Sequence, residues 1–364
     1  MANVGSVTDV ASLPALKLGP PPPKMKLSGV EAGRGVAAVL VVLYHAALHI
    51  EAHVGGRIAY GIAHFGHAGV DFFFVLSGFI ISFVHHRDIG KPRRLAHYAQ
   101  RRFTRVFPFY WIVFAYYLAD QALFHRNELP SGAGVIFNFL LLPQAHDPIV
   151  GGAWTLVFEV LFYMVIAVAI CSRNLGAVLL GAWALIIALG FSGHEWGAGI
   201  SLMHALSSPF CLEFFLGIGA AYVLLTRSIP HSGVVLLAGV VAFALAGITE
   251  VMGILNGFGS TARVVYGGCA VLIVLGLVER ERLGMIKVPR AMALIGQASY
   301  SVYLVHLIAI GIAFKYLARL IVFTTAWSWA LWLSLSAFAV VAGILASMWL
   351  ERPSINFFRA RLAK

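Results

Sequence analysis

The sequence predicts an all-α integral membrane protein, a bundle of about ten transmembrane helices with both termini in the cytoplasm. Three observations support this prediction: the composition, the length of the apolar runs and the uneven distribution of Lys and Arg. Of the 364 residues, 60% are apolar and only 11% are charged, whereas soluble domains average about 45–50% apolar and about 25% charged residues. This composition excludes an ordinary soluble domain and an intrinsically disordered chain.

Each predicted span is a mostly apolar run of about 20 residues, which is the length that crosses a hydrocarbon core about 30 Å thick. In chain order the runs cover residues 30–50, 66–86, 107–125, 153–171, 176–193, 200–225, 233–250, 263–279, 292–314 and 325–350. We expect residues 1–27 to form a disordered cytoplasmic tail, because they contain Pro20–Pro23 and no apolar core. Residues 28–353 would then form the membrane domain, and residues 354–364 would form a second cytoplasmic tail.

The net charge of +11 is distributed in short basic runs between apolar segments. Nucleic-acid-binding proteins instead collect such charge on one soluble surface, so no nucleic-acid partner is expected. Lys and Arg concentrate on the side of the N-terminus, above all in residues 87–106 and 279–291. The segments of the opposite side hold only Arg57, Arg126, Arg263, Lys315 and Arg319. Because cytoplasmic loops carry the excess of Lys and Arg, both termini are predicted to be cytoplasmic.

Ionisable residues inside the spans are costly in lipid, and they usually face the interior of the bundle. Arg34 and His45 lie in the first span, and their spacing returns them to within about 20° of one helix face, about 16 Å apart along the axis. Arg34 would lie near the cytoplasmic end and His45 in the outer half. Asp71, Glu159 and His306 are predicted at a similar outer depth in other spans. We therefore expect these four outer residues to converge.

The cytoplasmic run from residue 91 to 106 is strongly basic and includes Arg101, Arg102 and Arg105. Much of this charge serves to fix the topology. Arg102 and Arg105 directly precede the third span, and the guanidinium group presents a planar fork of donors that suits phosphate. The sequence therefore predicts an anion-binding inner mouth.

Several other patterns favour structural roles. The small residues at Ser77-Gly78 and at Gly217-Ile218-Gly219 indicate close helix packing. Residues 135–142 would form a short interfacial or re-entrant piece, and Pro353 is predicted to end the last helix. The spacing of His49, His53, His64 and His67 could suit zinc, but no cysteine or consistent acid completes the set. No metal site is expected.

At these residues the sequence resembles the acyltransferase type 3 family of bacterial membrane proteins. The resemblance rests on the Arg34-to-His45 spacing, the segment GVDFFFVLSGF (69–79), the Arg102-to-Arg105 pair, WTLVFE (154–159), ASYSVYLVH (298–306) and Glu351-Arg352-Pro353. These motifs are spread over nearly the whole chain. The form WTLVFEVLFY is most similar to exopolysaccharide acetyltransferases, whereas many family members carry WSLSVEEQFY there.

The resemblance implies a transmembrane acyltransferase of the bacterial inner membrane, with no permanently bound cofactor. It would transfer an acyl group, acetyl above all, from cytoplasmic acyl-CoA to a hydroxyl of an exported polysaccharide or lipid-linked glycan. Arg34 and His45 would be essential, and Arg102 and Arg105 would help to hold the donor. From the basic run itself we add Arg101 as a further candidate to bind the phosphates of CoA. The resemblance leaves the oligomeric state open, a homo-oligomer included.

The residues leave the detailed roles open. His45 would act as a general base or as a transient acyl carrier, with its imidazole oriented by Glu159 or Asp71. Tyr300 and Ser299 would stabilise the oxyanion or bind the acceptor, and His306 and Trp154 are further candidates for substrate binding.

A transporter or flippase for a glycan or small solute is the alternative function. In that case the polar residues would line a translocation path. Transporters commonly show internal repeats with broken helices at matching positions, and no clear repeat is present in this sequence. Release of CoA from acetyl-CoA, with and without a glycan acceptor, would discriminate between the two.

Overall fold

The structure, a computed structural model, describes residues 27–55, 58–124, 129–144, 146–193, 201–317 and 328–362. This part of the chain is all-α, as predicted, and contains no β-strand. The α-helices are α1 (Ser28–His53), α2 (Gly69–His85), α3 (Leu95–Phe124), α4 (Gly132–Leu140), α5 (Trp154–Cys171), α6 (Arg173–Phe191), α7 (Ser201–Ser207), α8 (Cys211–Thr226), α9 (Ser232–Val251), α10 (Ser260–Arg282), α11 (Arg290–Leu317), α12 (Ser328–Ala346) and α13 (Arg352–Leu362). The 3₁₀ segments are Ile58–Ala68, Pro92–Arg94 and Gly151–Ala153.

Within the described residues, 8 helices are long and apolar enough to cross a membrane. They are Ser28–His53, Ala63–His85, Gly151–Cys171, Arg173–Phe191, Ser232–Val251, Ser260–Arg282, Arg290–Leu317 and Ser328–Leu362. Of the two other predicted spans, 107–125 corresponds to the second part of α3, which carries Arg101, Arg102 and Arg105 in its first part. The predicted span 200–225 is divided between the short helix α7 and the 16-residue helix α8. A total of ten spans and the cytoplasmic placement of both termini remain predictions. The tail before residue 27, Arg57, Arg126 and Arg319 lie outside the described residues.

Glycines allow α2 and α8 to approach closely near the centre of the bundle. A Cβ atom on Gly78 would lie 2.2 Å from the carbonyl oxygen of Phe214, and one on Gly217 would lie 2.2 Å from that of Val75. The interpretation as packing positions is therefore confirmed for Gly78 and Gly217, but not for Ser77, whose hydroxyl donates to Glu159. Gly219 differs, because no atom lies within 4 Å of the position its Cβ would take.

The last span does not end at Pro353, so that prediction is wrong. A π-helical turn, Ser347–Glu351, joins α12 to α13, and the helix continues to Leu362. A π turn widens the helix by one residue, which accommodates the proline that cannot donate a backbone hydrogen bond. Residues 354–362 are therefore helical, and Phe358 packs edge-on against Phe103 of α3.

The predicted short piece at residues 135–142 is the helix α4, which lies against α3. The Oγ atom of Ser131 caps its start by accepting from the backbone N–H of Gly134. Two side chains of α3 then donate to α4 carbonyls, Tyr110 to Asn138 at 2.7 Å and Trp111 to Phe139 at 2.9 Å.

The contact between α2 and α8 gives a test of the packing. The substitution Gly217→Val would place side-chain atoms inside the backbone of α2, and we expect a loss of about 3 kcal/mol or more in stability. Thermal unfolding of the purified protein in detergent measures the effect. Gly219→Val on the same helix is the matched control and should unfold near the wild-type temperature. Equal stability of the two variants would contradict the packing shown here.

Candidate active site

Two polar cavities lie in the bundle, and they share Val70 and Tyr303 as lining residues. The first, here called the arginine cavity, has a volume of about 100 Å³. Its polar lining residues are Arg34, Arg102, Arg105, Ser77, Thr155, Glu159, Tyr163, Ser299, Tyr300 and Tyr303. The second, the histidine cavity, has a volume of about 160 Å³ and is lined among others by Tyr44, His45, His67, Trp154, Arg263 and His306.

The helix α1 contributes one residue to each cavity. Arg34 lines the arginine cavity and His45 lines the histidine cavity. The predicted common face of these two residues is therefore present in the structure. The helical rise between them, about 16 Å, spans the polar interior from one cavity to the other.

Arg105 is held in the arginine cavity by a buried carboxylate from the far end of the chain. Its Nη1 atom donates to Oε1 of Glu351 at 3.0 Å. The other oxygen of Glu351 accepts from Ser301 at 2.6 Å and from Ser347 at 2.8 Å. The sequence motif around Glu351 was interpreted as a helix end, so this role was missed. The feature that could have predicted this role is the carboxylate of Glu351 directly after an apolar run, because such a buried charge needs a partner.

Arg102 has an aromatic and imidazole environment rather than a carboxylate partner. Its guanidinium lies 5.8 Å from the ring centre of Tyr98 and 5.6 Å from that of Tyr163, and Nη2 lies 3.3 Å from Nε2 of His85. Arg34 makes no ion pair among the described residues. Arg101 is exposed and does not line the cavity.

Glu159 lies in the arginine cavity and not against His45. It accepts hydrogen bonds from Ser77 at 3.0 Å and, through a short contact, from Tyr163. Trp154, at the start of the same helix, does line the histidine cavity. Five residues advance the helix by about 7.5 Å, and this rise moves Glu159 into the other cavity. The structure therefore does not support Glu159 as the group that orients His45.

Two neighbouring hydroxyls of α11 differ in their availability. Tyr300 donates to the backbone carbonyl of Val106 at 2.8 Å, so donation to an oxyanion would require this bond to break. The Oγ atom of Ser299 is buried and has no hydrogen-bond partner among the described residues. Ser299 is therefore the hydroxyl that a ligand in the arginine cavity can meet.

His45 and His306 meet in the histidine cavity. Nδ1 of His45 lies 2.9 Å from the carbonyl oxygen of Val41 and 3.2 Å from Nε2 of His306. Nδ1 of His306 contacts the carbonyl oxygen of Tyr303. Because a carbonyl only accepts, the hydrogen-bond network assigns the proton to Nδ1 of each ring. The one Nδ1–H of His45 is then shared between the carbonyl of Val41 and Nε2 of His306, and Nε2 of His45 keeps a free lone pair for a substrate.

Asp71 is turned away from His45 by the phase of α2. Val70, Phe74, Ser77 and Ile81 line the arginine cavity as one face, and the next residue on a helix points about 100° away. The carboxylate of Asp71 instead pairs with Arg263 of α10 at 2.6 Å, and both side chains are buried. The expectation that Asp71 orients the imidazole is therefore not met.

Arg263 is fully buried in the first turn of α10, although the sequence predicts only that it lies on the outer side. Besides Asp71, its guanidinium donates to the carbonyl of Gly257 and lies 4.5 Å from the ring centre of Phe210. Nearby, His67 pairs with Glu250 at 2.8 Å. In each pair, Asp71–Arg263 and Glu250–His67, the two partners are far apart in the sequence. The spacing of residues along the chain therefore could not predict these pairs.

Comparison with known proteins identifies the family. The family described as acyltransferase domain matches residues 27–350. The chain is 30% identical over 307 residues to the exopolysaccharide production protein ExoZ of Rhizobium meliloti, covering 81% of this chain and 92% of that protein. It is 26% identical over 378 residues to the acyltransferase MdmB of Streptomyces mycarofaciens, covering 94% and 95% of the two chains.

No solved structure matches the chain. The family match spans most of the sequence, and the predicted motifs lie within it. The chain therefore belongs to the acyltransferase type 3 family, as a member with multiple apolar helices and hence a multi-pass membrane protein.

Proposed function

We propose that this protein transfers a short acyl group, acetyl above all, from cytoplasmic acyl-CoA to a hydroxyl of an exported glycan. The observation that carries the proposal is the face of α1 that presents Arg34 to one cavity and His45 to the other. Such a face links an anion-binding site to a proton acceptor through the bundle. The name of the relative ExoZ, an exopolysaccharide production protein, favours a polysaccharide acceptor. In this proposal the acceptor is the polysaccharide or its lipid-linked precursor, and the location is the bacterial inner membrane.

The donor phosphates would bind to the guanidinium groups of Arg34 and Arg102 at the arginine cavity. Neither group forms an ion pair with a carboxylate among the described residues, so each can accept a phosphate without breaking one. Arg105 would add charge from a position fixed by Glu351. The exposed Arg101 would act at the edge, and Ser299 would bond to an amide of the pantetheine arm.

The reaction would take place at Nε2 of His45. The acceptor hydroxyl oxygen attacks the thioester carbonyl carbon, and Nε2 removes the hydroxyl proton. The new C–O bond forms as the C–S bond breaks, and the thiolate of CoA leaves and takes the proton from His45. Nε2 of His306 stabilises the transient imidazolium by accepting from Nδ1 of His45. An acyl-imidazole intermediate on the same Nε2 atom is the alternative that the geometry leaves open.

The acceptor sugar would lie in the histidine cavity. Trp154, Phe210 and Phe258 supply aromatic faces in its lining, and such faces bind the apolar side of a sugar ring. The neighbouring His67 and Arg263 provide polar groups, although each already has a carboxylate partner. Trp154 is therefore the predicted platform for the acceptor.

Removal of the imidazole tests the proposed base. We expect His45→Ala to lower the rate of CoA release from acetyl-CoA by a factor of about 10²–10⁴, with the thermal stability retained. The measurement uses purified protein with a glycan acceptor, supported by NMR of O-acetyl groups on surface polysaccharide. His53→Ala on the same helix is the control, because His53 is exposed and lines neither cavity. Full acetylation by His45→Ala would refute the role.

His306 is proposed as a positioning residue for His45, and kinetics can separate this role from a structural one. His306→Leu should lower kcat at least about tenfold with little change in KM for acetyl-CoA, because a hydrogen bond to the charged imidazole is lost. His306→Gln should recover part of kcat, since its amide oxygen can still accept. Equal loss in both variants, with KM raised in parallel, would contradict the positioning role.

A substitution in the proposed donor site should change the affinity for CoA rather than the rate of the chemical step. Arg102→Gln removes one charged hydrogen-bonding group, worth about 1.5–3 kcal/mol, which is about 10–100-fold in the Kd of CoA. Isothermal titration with CoA measures it. Arg359→Gln is the matched control, because Arg359 is exposed on α13 and lines neither cavity. An unchanged affinity in Arg102→Gln would count against this site.

A further inference from the structure

Val70 and Tyr303 line both cavities and therefore lie between them; this place is called here the junction. We propose that the acyl group of the donor rests beside these two side chains during transfer, and that this constriction leaves space for a short acyl chain but not for a longer one, so that Val70 and Tyr303 determine the acyl chain length of the donor. This inference rests on the proposed function, because a thioester must come from the arginine cavity to reach His45 in the histidine cavity.

Tyr303 is built as a fixed wall of the junction. Its hydroxyl lies 3.0 Å from Oγ1 of Thr155 and 3.2 Å from the carbonyl oxygen of Gly152, and its ring packs edge-on against Phe73. The side chain is 8% exposed. A tyrosine held at both its ring and its hydroxyl cannot swing aside cheaply, so a passing group has to fit the space it leaves.

Val70 belongs to a part of α2 that is also fixed. Its neighbour Gly69 packs against α1 so closely that a Cβ there would lie 2.4 Å from the carbonyl oxygen of Ala37. The backbone of α2 therefore has no freedom to move toward α1 at this level. Val70 is branched at Cβ, which restricts its rotamers. The second side of the constriction is thus as rigid as the first.

The residues along α11 follow the same order as the cavities. Ser299 lines the arginine cavity, Tyr303 lies at the junction, and His306 lines the histidine cavity. These positions are four and three residues apart and so share one helix face. A donor that extends from Ser299 to the His45–His306 pair therefore passes the ring of Tyr303.

The size of the histidine cavity limits what can pass. Its volume of about 160 Å³ must hold both the acyl group and the part of the sugar that carries the reacting hydroxyl. When the sugar oxygen bonds to the thioester carbon and the C–S bond breaks, the acyl tail has to remain beside Tyr303 and Val70. An acetyl group adds only a methyl there, whereas each further methylene competes with these two side chains or with the sugar.

The test compares donor lengths in the full-length protein. Release of CoA from acetyl-CoA, butyryl-CoA and hexanoyl-CoA is followed by thiol detection, with the same glycan acceptor present as in the test of His45. One methylene in an apolar pocket typically changes kcat/KM about 10–200-fold. We expect wild type to prefer acetyl-CoA to butyryl-CoA at least about tenfold, Val70→Ala to reduce this preference about tenfold, and Val70→Leu to increase it.

Two further variants separate the wall itself from other effects. Tyr303→Phe keeps the ring but loses the hydroxyl contacts to Thr155 and Gly152 that hold it in place, so it should weaken the acyl-length preference, though less than Val70→Ala does. Val75→Ala makes the same change as Val70→Ala on the same helix, at a buried side chain that lines neither cavity. Its preference should equal that of the wild type.

The outcomes distinguish this inference from the proposed function. If the wild type cleaves hexanoyl-CoA as fast as acetyl-CoA, or if neither Val70→Ala nor Val70→Leu changes the preference, the constriction is refuted. If cleavage still depends on His45 in that case, the proposed function stands. Cleavage that does not depend on His45, or no cleavage of any donor, would overturn both.

Discussion

The central physical constraint on this protein is that a charged side chain in hydrocarbon has no water to satisfy it. The structure meets this constraint by turning its ionisable groups inward, toward one another and toward two internal cavities. Arg34 and His45 show this most directly, because one face of α1 serves both cavities. The other buried ionisable groups lie where a group of opposite charge or a hydrogen-bond partner is available inside the bundle.

Two ion pairs, each with a buried carboxylate, connect helices that are far apart in sequence. Asp71 of α2 pairs with Arg263 of α10, and Arg105 of α3 pairs with Glu351 in the π turn. Buried pairs of this kind contribute little net stability, because desolvation offsets their attraction, but breaking one leaves an isolated charge. Their effect here is to fix the register of the helices that enclose the cavities. Arg105 in particular is held in place before any ligand arrives.

The histidine pair differs from the more familiar arrangement of an imidazole beside a carboxylate. A carboxylate next to His45 would raise its basicity and stabilise its charged form strongly. Neutral His306 provides only an acceptor lone pair, fixed by the contact of its other nitrogen with Tyr303. The arrangement orients His45 without placing a charged partner beside it, which suits a site deep in a membrane.

The sequence by itself determined the all-α membrane class, the shared face of Arg34 and His45, the packing role of Gly78 and Gly217, and the family motifs. These features depend on composition, helical periodicity or local pattern, each of which can be recognised within a single stretch of sequence. Only the tertiary structure decided that Asp71 pairs with Arg263, that Glu351 pairs with Arg105, and that His306 rather than a carboxylate contacts His45. A contact between two helices depends on their relative rotation and depth, which the sequence of one helix does not give. An offset of a few residues is enough to change the cavity that a side chain lines: Trp154 lines the histidine cavity, whereas Glu159 on the same helix lines the arginine cavity.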